Sequence, residues 1–105
     1  MIAKQLETNV FTADDHATLV LVGDVNESAE QRLNEAYRAA ADAHPASITL
    51  DFSAVEYINS TGIALIVGLL AAARGAKIPL HAVGLSDHYR ELFEITRLSD
   101  FMTID

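Results

Sequence analysis

The hydrophobic pattern of the chain switches between the spacing of a strand and the spacing of a helix. Continuous apolar runs at residues 17–22 and 48–52 predict two buried strands. A weaker alternation over residues 2–11 predicts a strand before them. Apolar segments at residues 78–83 and 101–104 predict strands after them, the last being either a short strand or a tail. The chain is therefore expected to build a sheet.

Between the strands, apolar residues recur at helical spacing. The first helix is predicted from Asn26 or Ser28 to about residue 43, and the spacing from Ser28 to Gln31 predicts a capping box. A later helix is predicted over residues 87–96. The residues expected to face the core are Ala29, Leu33, Ala36, Tyr37 and Ala40 in the first helix and Tyr89, Leu92, Phe93 and Thr96 in the later one.

The middle helix is predicted over residues 61–74, with Gly75 beyond its end. It differs from the others because no position from 61 to 73 is charged. The face expected to pack on the sheet consists of Ile63, Ile66, Val67 and Leu70. Beside it lies a strip of small residues, formed by Ala64, Gly68, Ala71 and Ala72, with Leu65 and Leu69 beyond. The sequence leaves open whether the chain's own helices or a binding partner cover this strip.

The order of these elements is β-β-α-β-α-β-α, with a possible last strand. A turn at residues 13–16 predicts an antiparallel hairpin of the first two strands. The β-α-β repeats that follow predict parallel strands with right-handed crossovers. The sequence therefore predicts one α/β domain over residues 1–105, with a mixed, mainly parallel sheet and three main helices.

Composition narrows the possible functions. The chain has 15 acidic and 7 basic residues and a net charge of −8, which argues against nucleic acid and anionic membranes as partners. It has no cysteine, which excludes disulfides and thiol catalysis. The first seven residues lack the apolar core of a signal peptide. The longest apolar run, residues 63–73, is shorter than the roughly 20 residues of a membrane helix. A cytoplasmic protein that does not insert into membranes is expected.

The turn before the middle helix carries the candidate chemistry. Asn59, Ser60 and Thr61 are residues that cap helices, and capping alone would account for them. A phosphate on Ser60 would nevertheless be favoured there, because unpaired backbone N–H groups and the positive end of the helix dipole would face it. Phosphorylation would add a charge of about −1.5 to −2 without unfolding the chain, which suits a binding switch.

No catalytic set accompanies Ser60. Ile58 stands where a G-x-S-x-G nucleophile elbow needs its first glycine. The four histidines are scattered, and the sequence identifies no partner for any of them, so a catalytic triad is not expected. The glycines are too dispersed for a phosphate-binding loop, and no pattern indicates a metal or another cofactor. The chain is therefore not expected to be an enzyme.

Residues 50–62, Leu-Asp-Phe-Ser-Ala-Val-Glu-Tyr-Ile-Asn-Ser-Thr-Gly, resemble the signature of the STAS domain family, as found in bacterial anti-sigma factor antagonists. Residues 21–25 resemble the strand-Gly-x-hydrophobic step before the family's first helix. Residues 94–98 resemble its Thr-Gly-Leu segment, with Arg97 in place of the glycine. Asn59 stands where the family often has aspartate, which removes a charge beside Ser60.

The resemblance implies a mechanism. An antagonist with an unmodified serine binds an anti-sigma factor that is also a serine kinase, and a sigma factor is released. The kinase then phosphorylates the antagonist and ejects it, and a serine phosphatase resets the cycle. The phosphoacceptor implied here is Ser60, with Thr61 as the second choice. The candidate partner-binding residues are Asp24, Asn59, Ser60, Thr61, Gly62, Ala64, Leu65 and Gly68. A monomer or weak dimer is expected.

Two alternatives remain at this point. Some members of the family are constitutive subunits of larger signalling or lipid-transport complexes, and this chain would then use its apolar helix for assembly. The other alternative is a small hydrolase with Ser60 as its nucleophile.

Overall fold

The computed structural model describes residues 5–105. The strands are β1 (Glu7–Ala13), β2 (His16–Val25), β3 (Ser47–Ile58), β4 (Leu80–Val83) and β5 (Thr103–Ile104). The helices are α1 (Glu30–Ala41), α2 (Ser60–Gly75) and α3 (Asp87–Ile95). A first 3₁₀ turn (Glu27–Ala29) precedes α1, and a second (Leu98–Asp100) follows α3.

The five strands form one sheet in the order β1-β2-β3-β4-β5. The β1–β2 pair is antiparallel, and the other three pairs are parallel, as the sequence predicts. Asp14 and Asp15 make the hairpin turn with positive φ angles of 50° and 68°. Two successive positive φ angles are typical of the tight turns whose twist matches that of a hairpin.

The strand boundaries differ from the prediction in several places. β2 continues to Val25 instead of ending at residue 22, and β5 begins only at Thr103. The first strand begins at Glu7, and the part of its predicted range at residues 2–4 lies outside the described residues. β3 continues to Ile58 instead of ending near residue 52. It keeps pairing with β2 across two register shifts, at each of which β3 carries one extra residue. β4 begins only at Leu80, because the preceding residue, Pro79, has no N–H to donate to a neighbouring strand.

Leucine, isoleucine and phenylalanine side chains fill the core on the helix-covered face of the sheet. All five residues predicted to line the inner face of the first helix are buried, with Ala29 lying in the 3₁₀ turn before α1. In α3, Phe93 is fully buried and meets the ring of Phe52 edge-on at 5.9 Å. Thr96 was predicted to face inward, and this is wrong: it is exposed, and its Oγ1 donates to the carbonyl of Leu92 at 2.8 Å. A hydroxyl that bonds its own helix has no need of the core.

The predicted capping box of α1 is also wrong. Asn26 caps the first 3₁₀ turn, where its Oδ1 accepts from the backbone N–H of Ser28 at 3.0 Å and from the Ser28 hydroxyl at 2.6 Å. α1 itself begins at Glu30, with no side-chain cap, and ends at Ala41 instead of residue 43. The 3₁₀ turn therefore takes over the role that the sequence pattern assigned to the start of α1.

The middle helix, α2, is rotated relative to the predicted orientation. Its buried stripe consists of Gly62, Ile66, Leu69, Leu70 and Ala73. Val67, predicted to pack on the sheet, is 45 % exposed, so that part of the prediction is wrong. Gly75 lies inside the helix, and Lys77 instead takes the left-handed conformation, with φ of 60°.

Candidate functional site

The candidate site rests on a two-stranded extension of the sheet. We call the extension the arm; it consists of residues 23–25 of β2 and residues 55–58 of β3, with Val25 paired to Ile58. β1 pairs with β2 only as far as Val22, and β4 pairs with β3 only over residues 48–51. Within residues 5–105, the arm thus has no third strand beside it. The first 3₁₀ turn and α2 both start from its end.

Asn59 closes the arm and opens α2. Its backbone N–H donates to the carbonyl of Val25 at 3.2 Å, which extends the strand pairing by one bond. Its φ and ψ of −94° and −178° are extended, and its Oδ1 accepts from the N–H of Gly62 at 2.8 Å. This is the geometry of a helix N-cap. The cap of α2 is therefore supplied by Asn59 and does not use either hydroxyl that follows it.

Gly62 is required by the close approach of α2 to the arm. A Cβ built on Gly62 would lie 2.0 Å from the carbonyl oxygen of Val25 and 3.1 Å from Cγ2 of Ile58. Both distances are shorter than van der Waals contact, and the first involves backbone that cannot rotate away. The absence of a side chain at Gly62 allows the first turn of α2 to sit directly on the arm.

Ser60 and Thr61 are the first two residues of α2, and both are exposed. In the part of the chain that the structure describes, the Ser60 hydroxyl has no hydrogen-bond partner. The N–H groups of both residues belong to the first turn, where a helix offers no internal acceptor. The Ser60 hydroxyl is thus accessible, unused by the fold and adjacent to unpaired donors.

A carboxylate that the sequence did not single out also reaches this site. Glu27, in the first 3₁₀ turn, accepts at Oε2 from Nδ2 of Asn59 at 2.9 Å. This hydrogen bond, followed by one from backbone, holds the pKa of Glu27 below its ordinary value. No sequence pattern joins the two residues, because they lie 32 positions apart in two different turns. The one signal in the sequence was the amide of Asn59, because an amide can donate a hydrogen bond to a carboxylate and an ionised aspartate cannot.

Two further residues lie in the arm or contact it. Asp24, a predicted partner contact, lies in the arm opposite Tyr57 and is only 9 % exposed. Tyr89 of α3 accepts at its hydroxyl from the N–H of Ile58 at 2.9 Å. This hydrogen bond joins α3 to the edge of β3 that β4 leaves unpaired.

The predicted strip of small residues is open on the surface of α2. Ala64, Gly68, Ala71 and Ala72 are all exposed, and Leu65 is half-buried. A Cβ built on Gly68 would meet no atom within 4 Å. Within the described residues, the chain's own helices therefore leave this strip uncovered. Five of the predicted contacts therefore lie along α2, namely Ser60, Thr61, Ala64, Leu65 and Gly68. Asn59 caps the same helix, and Gly62 packs its first turn against the arm.

Among residues 5–105, no group of three or more histidine, aspartate or glutamate side chains is placed to hold a metal ion. His16 bonds at Nδ1 to the Ser47 hydroxyl at 2.6 Å, and both residues start their strands at the end of the sheet opposite Ser60. No helix over the same residues has the length and apolarity needed to cross a bilayer.

Comparison with known proteins gives consistent matches. A sequence profile described as "Mlab, STAS domain" matches residues 9–104. An anti-sigma-B factor antagonist of Listeria monocytogenes is 31 % identical over 90 residues, covering 86 % of this chain and 79 % of that protein. A protein of the same name from Staphylococcus aureus is 29 % identical over 100 residues, covering 95 % of this chain and 93 % of that protein.

Solved structures share the fold. An anti-sigma factor antagonist from Mycobacterium paratuberculosis superimposes with a TM-score of 0.78 at 19 % identity, covering 95 % of this chain and 85 % of that one. The Bacillus cell fate determinant SpoIIAA, in its phosphorylated form, superimposes with a TM-score of 0.71 at 15 % identity, covering 94 % of this chain and 91 % of that one. At these identities the likeness concerns the fold.

Proposed function

The chain belongs to the STAS domain family, and from this premise we propose that it is an anti-sigma factor antagonist controlled by phosphorylation of Ser60. In this proposal it is a binding module and not an enzyme. With Ser60 unmodified, it binds an anti-sigma factor that is also a serine kinase, so that a sigma factor is released. Phosphorylation of Ser60 by that kinase ends the complex, and a serine phosphatase restores the binding form.

The observation that carries the proposal is the division of roles between Asn59 and Ser60. Asn59 provides the N-cap of α2, and Ser60 provides an exposed hydroxyl that no hydrogen bond within residues 5–105 engages. A phosphate on Ser60 would leave the cap intact. It would also meet the unpaired N–H groups of the first turn. The modification can therefore change the surface charge without a cost to the fold.

The charges on α2 favour the same reading. The first turn of α2 contains no acidic residue, and the Glu27 carboxylate that reaches the site belongs to the 3₁₀ turn and is held by Asn59. The positive end of the helix dipole stabilises a negative group by about 0.3–1 kcal/mol at an exposed position. A charge of about −1.5 to −2 would then stand beside the open strip of Ala64 and Gly68. An apolar partner surface that packs on this strip would have to remove water from that charge, which costs free energy.

The relatives add support of their own. The proteins from Listeria monocytogenes and Staphylococcus aureus are both named anti-sigma-B factor antagonists. SpoIIAA, which shares the fold, has been solved in a phosphorylated form, so this fold is compatible with the modification.

The proposed contact surface combines the N-cap and first turn of α2 with the open strip of small residues on the same helix. The residues assigned to its accessible part are Asn59, Ser60, Thr61, Ala64, Leu65 and Gly68, and the buried Gly62 and Asp24 are assigned a supporting role. Binding needs no cofactor or metal and involves neither nucleic acid nor insertion into a membrane. We place the protein in the cytoplasm, as a monomer or weak dimer.

The test is an intact mass of the purified chain after incubation with host lysate and ATP. The native chain is expected to gain one phosphate, and Ser60→Ala none. Thr61→Ala, which changes the neighbouring exposed hydroxyl, is the matched control and should be labelled like the native chain. Absence of labelling, with the lysate kinases active on another substrate, would contradict the switch, and labelling of Ser60→Ala would place the acceptor elsewhere.

One observation also supports a second candidate, a constitutive subunit of a larger signalling or lipid-transport complex. The open strip on α2 could serve assembly without any modification at Ser60. This candidate predicts that Ser60→Asp leaves complex formation intact, whereas the switch predicts that the same substitution abolishes it.

A further inference from the structure

Glu27 is placed beside the phosphoacceptor by a contact between two separate turns. Its Oε2 lies 2.9 Å from Nδ2 of Asn59, the residue directly before Ser60. Glu27 is exposed, so this carboxylate faces solvent next to the proposed contact surface. It adds nothing that the helix cap needs, because the cap uses Oδ1 of Asn59.

The orientation of the Asn59 amide is fixed by its surroundings. Its oxygen must face the N–H of Gly62 to cap α2, so its NH₂ group must point away from the helix. Glu27 accepts from that group, and both ends of the amide are then used. A carboxylate at position 59 would still cap the helix, but it would place two negative groups within hydrogen-bond distance. The amide is thus the side chain that allows the cap and Glu27 to coexist.

We propose that Glu27 is a specificity-determining residue of the Ser60 site, whose carboxylate pairs with an arginine or lysine side chain of the partner kinase. This inference rests on the proposed function. Asn59 acts as a positioning residue, since it holds the Glu27 carboxylate next to the phosphoacceptor. The negative charge at this site then comes from the first 3₁₀ turn instead of from the turn that carries Ser60.

The charge of Glu27 and its exposed position both suit this role. Its pKa is held below the ordinary value, so the carboxylate is ionised throughout the neutral range. A charge at the rim of an interface mainly affects the rate of association and its dependence on salt. The effect of Glu27 should therefore appear in how fast the kinase finds Ser60, and it should weaken as ionic strength rises.

The test compares initial rates of Ser60 phosphorylation by host lysate and ATP at low and high salt. Glu27→Gln removes the charge while its amide oxygen can still accept from Asn59. Glu30→Gln, which removes an exposed charge at the start of α1, is the matched control. Glu27→Gln is expected to lower the rate about fivefold at low salt and to flatten its salt dependence, which a merely structural role would not do. Glu27→Asp, which keeps the charge, should recover part of the rate.

The outcomes separate this inference from the function on which it rests. Equal rates for the native chain and Glu27→Gln, or equal slowing by Glu27→Gln and Glu30→Gln, would overturn the role of Glu27 and leave the Ser60 switch standing. If the native chain is not labelled at all, the switch and this inference fail together. Thermal unfolding of each variant, expected to match the native curve, shows that the rates refer to folded protein.

Discussion

Ser60 and Ser86 occupy neighbouring helix starts at the same edge of the sheet, yet the fold uses their hydroxyls differently. Ser86 is itself the N-cap of α3, and its Oγ accepts from the N–H of Tyr89 at 3.3 Å. At α2 the cap is Asn59, and Ser60 follows it. A phosphate on Ser86 would change the side chain that caps α3, whereas a phosphate on Ser60 would leave the Asn59 cap of α2 as it is. A serine near a helix start is thus available for modification when the residue before it does the capping.

The two helix starts also differ in charge and in side-chain size. The first turn of α3 contains Asp87, which already complements the dipole of that helix, whereas the first turn of α2 contains no acid. The third residue is Tyr89 in α3 and Gly62 in α2. Tyr89 reaches back to bond the arm, and Gly62 lets the backbone of α2 touch the arm directly. The start of α2 is therefore tightly packed against the arm at Gly62, whereas Ser60 and Thr61 are exposed to solvent.

The largest loss of stability is expected when Gly62 is given a side chain. Gly62→Ala would place a methyl group 2.0 Å from the Val25 carbonyl oxygen, so α2 must move off the arm. We expect the free energy of unfolding to fall by about 3 kcal/mol, the upper range for overpacking a closely packed site. Gly68→Ala is the matched control, because its methyl group meets nothing within 4 Å. It should stabilise the helix by about 0.5–1 kcal/mol. Urea unfolding of both variants checks this, and equal effects would refute the packing argument.

A second experiment compares the stability lost when each capping side chain is removed with the effect of removing the Ser60 hydroxyl. Asn59→Ala and Ser86→Ala should each lower the free energy of unfolding by about 1 kcal/mol, the usual cost of losing an N-cap. Ser60→Ala should change it by less than about 0.5 kcal/mol, since its hydroxyl holds no bond within the described residues. Thermal or urea unfolding measures all three. A loss for Ser60→Ala as large as that for Ser86→Ala would show that the two serines are equivalent, contrary to their geometry.

The smallest expected effect concerns pH. Because the pKa of folded Glu27 lies below its ordinary value, its bond to Asn59 contributes stability above the unfolded glutamate pKa of about 4.3. That contribution is lost as the pH falls through the folded value. Asn59→Ala removes the first cause of the shift, so the pKa of Glu27 should rise, as an NMR titration of its carboxyl carbon would show. Ser60→Ala, which keeps the amide, should leave the titration unchanged; an unchanged pKa in Asn59→Ala would instead exclude the hydrogen bond as the cause.

Much of the fold follows from periodicity in the sequence. The element order and the inward face of α1 could be predicted because they rest on the local spacing of apolar residues, and the hairpin because residues 13–16 form a turn between two strands. α2 gave no such guide: with no charge from position 61 to 73, nothing in the sequence marked Val67 as the exposed side. The length of β3 was missed because residues 53–58 mix exposed and buried positions across its two register shifts.

The candidate site divides in the same way. Asn59, Ser60, Thr61 and Gly62 could be predicted together because they are contiguous and carry hydroxyl, amide and glycine chemistry typical of a helix start. Glu27 could not, since a single hydrogen bond between two turns 32 residues apart leaves no periodic trace. The reason for Gly62 also becomes clear only when the Val25 carbonyl is in place beneath it.

The arm has a consequence for the dynamics of this site. Within residues 5–105, strand residues 48–51 are paired with a neighbouring strand on each side, whereas residues 55–58 have a strand on one side only. Segments with fewer such contacts open locally at a lower free energy than the whole domain unfolds. Amide hydrogens of the arm should therefore exchange with solvent sooner than those of the central strands. The arm beneath Ser60 can therefore open and close again while the core stays folded. The motion of the Ser60 site then depends on the arm and on the hydrogen bond between Tyr89 and Ile58.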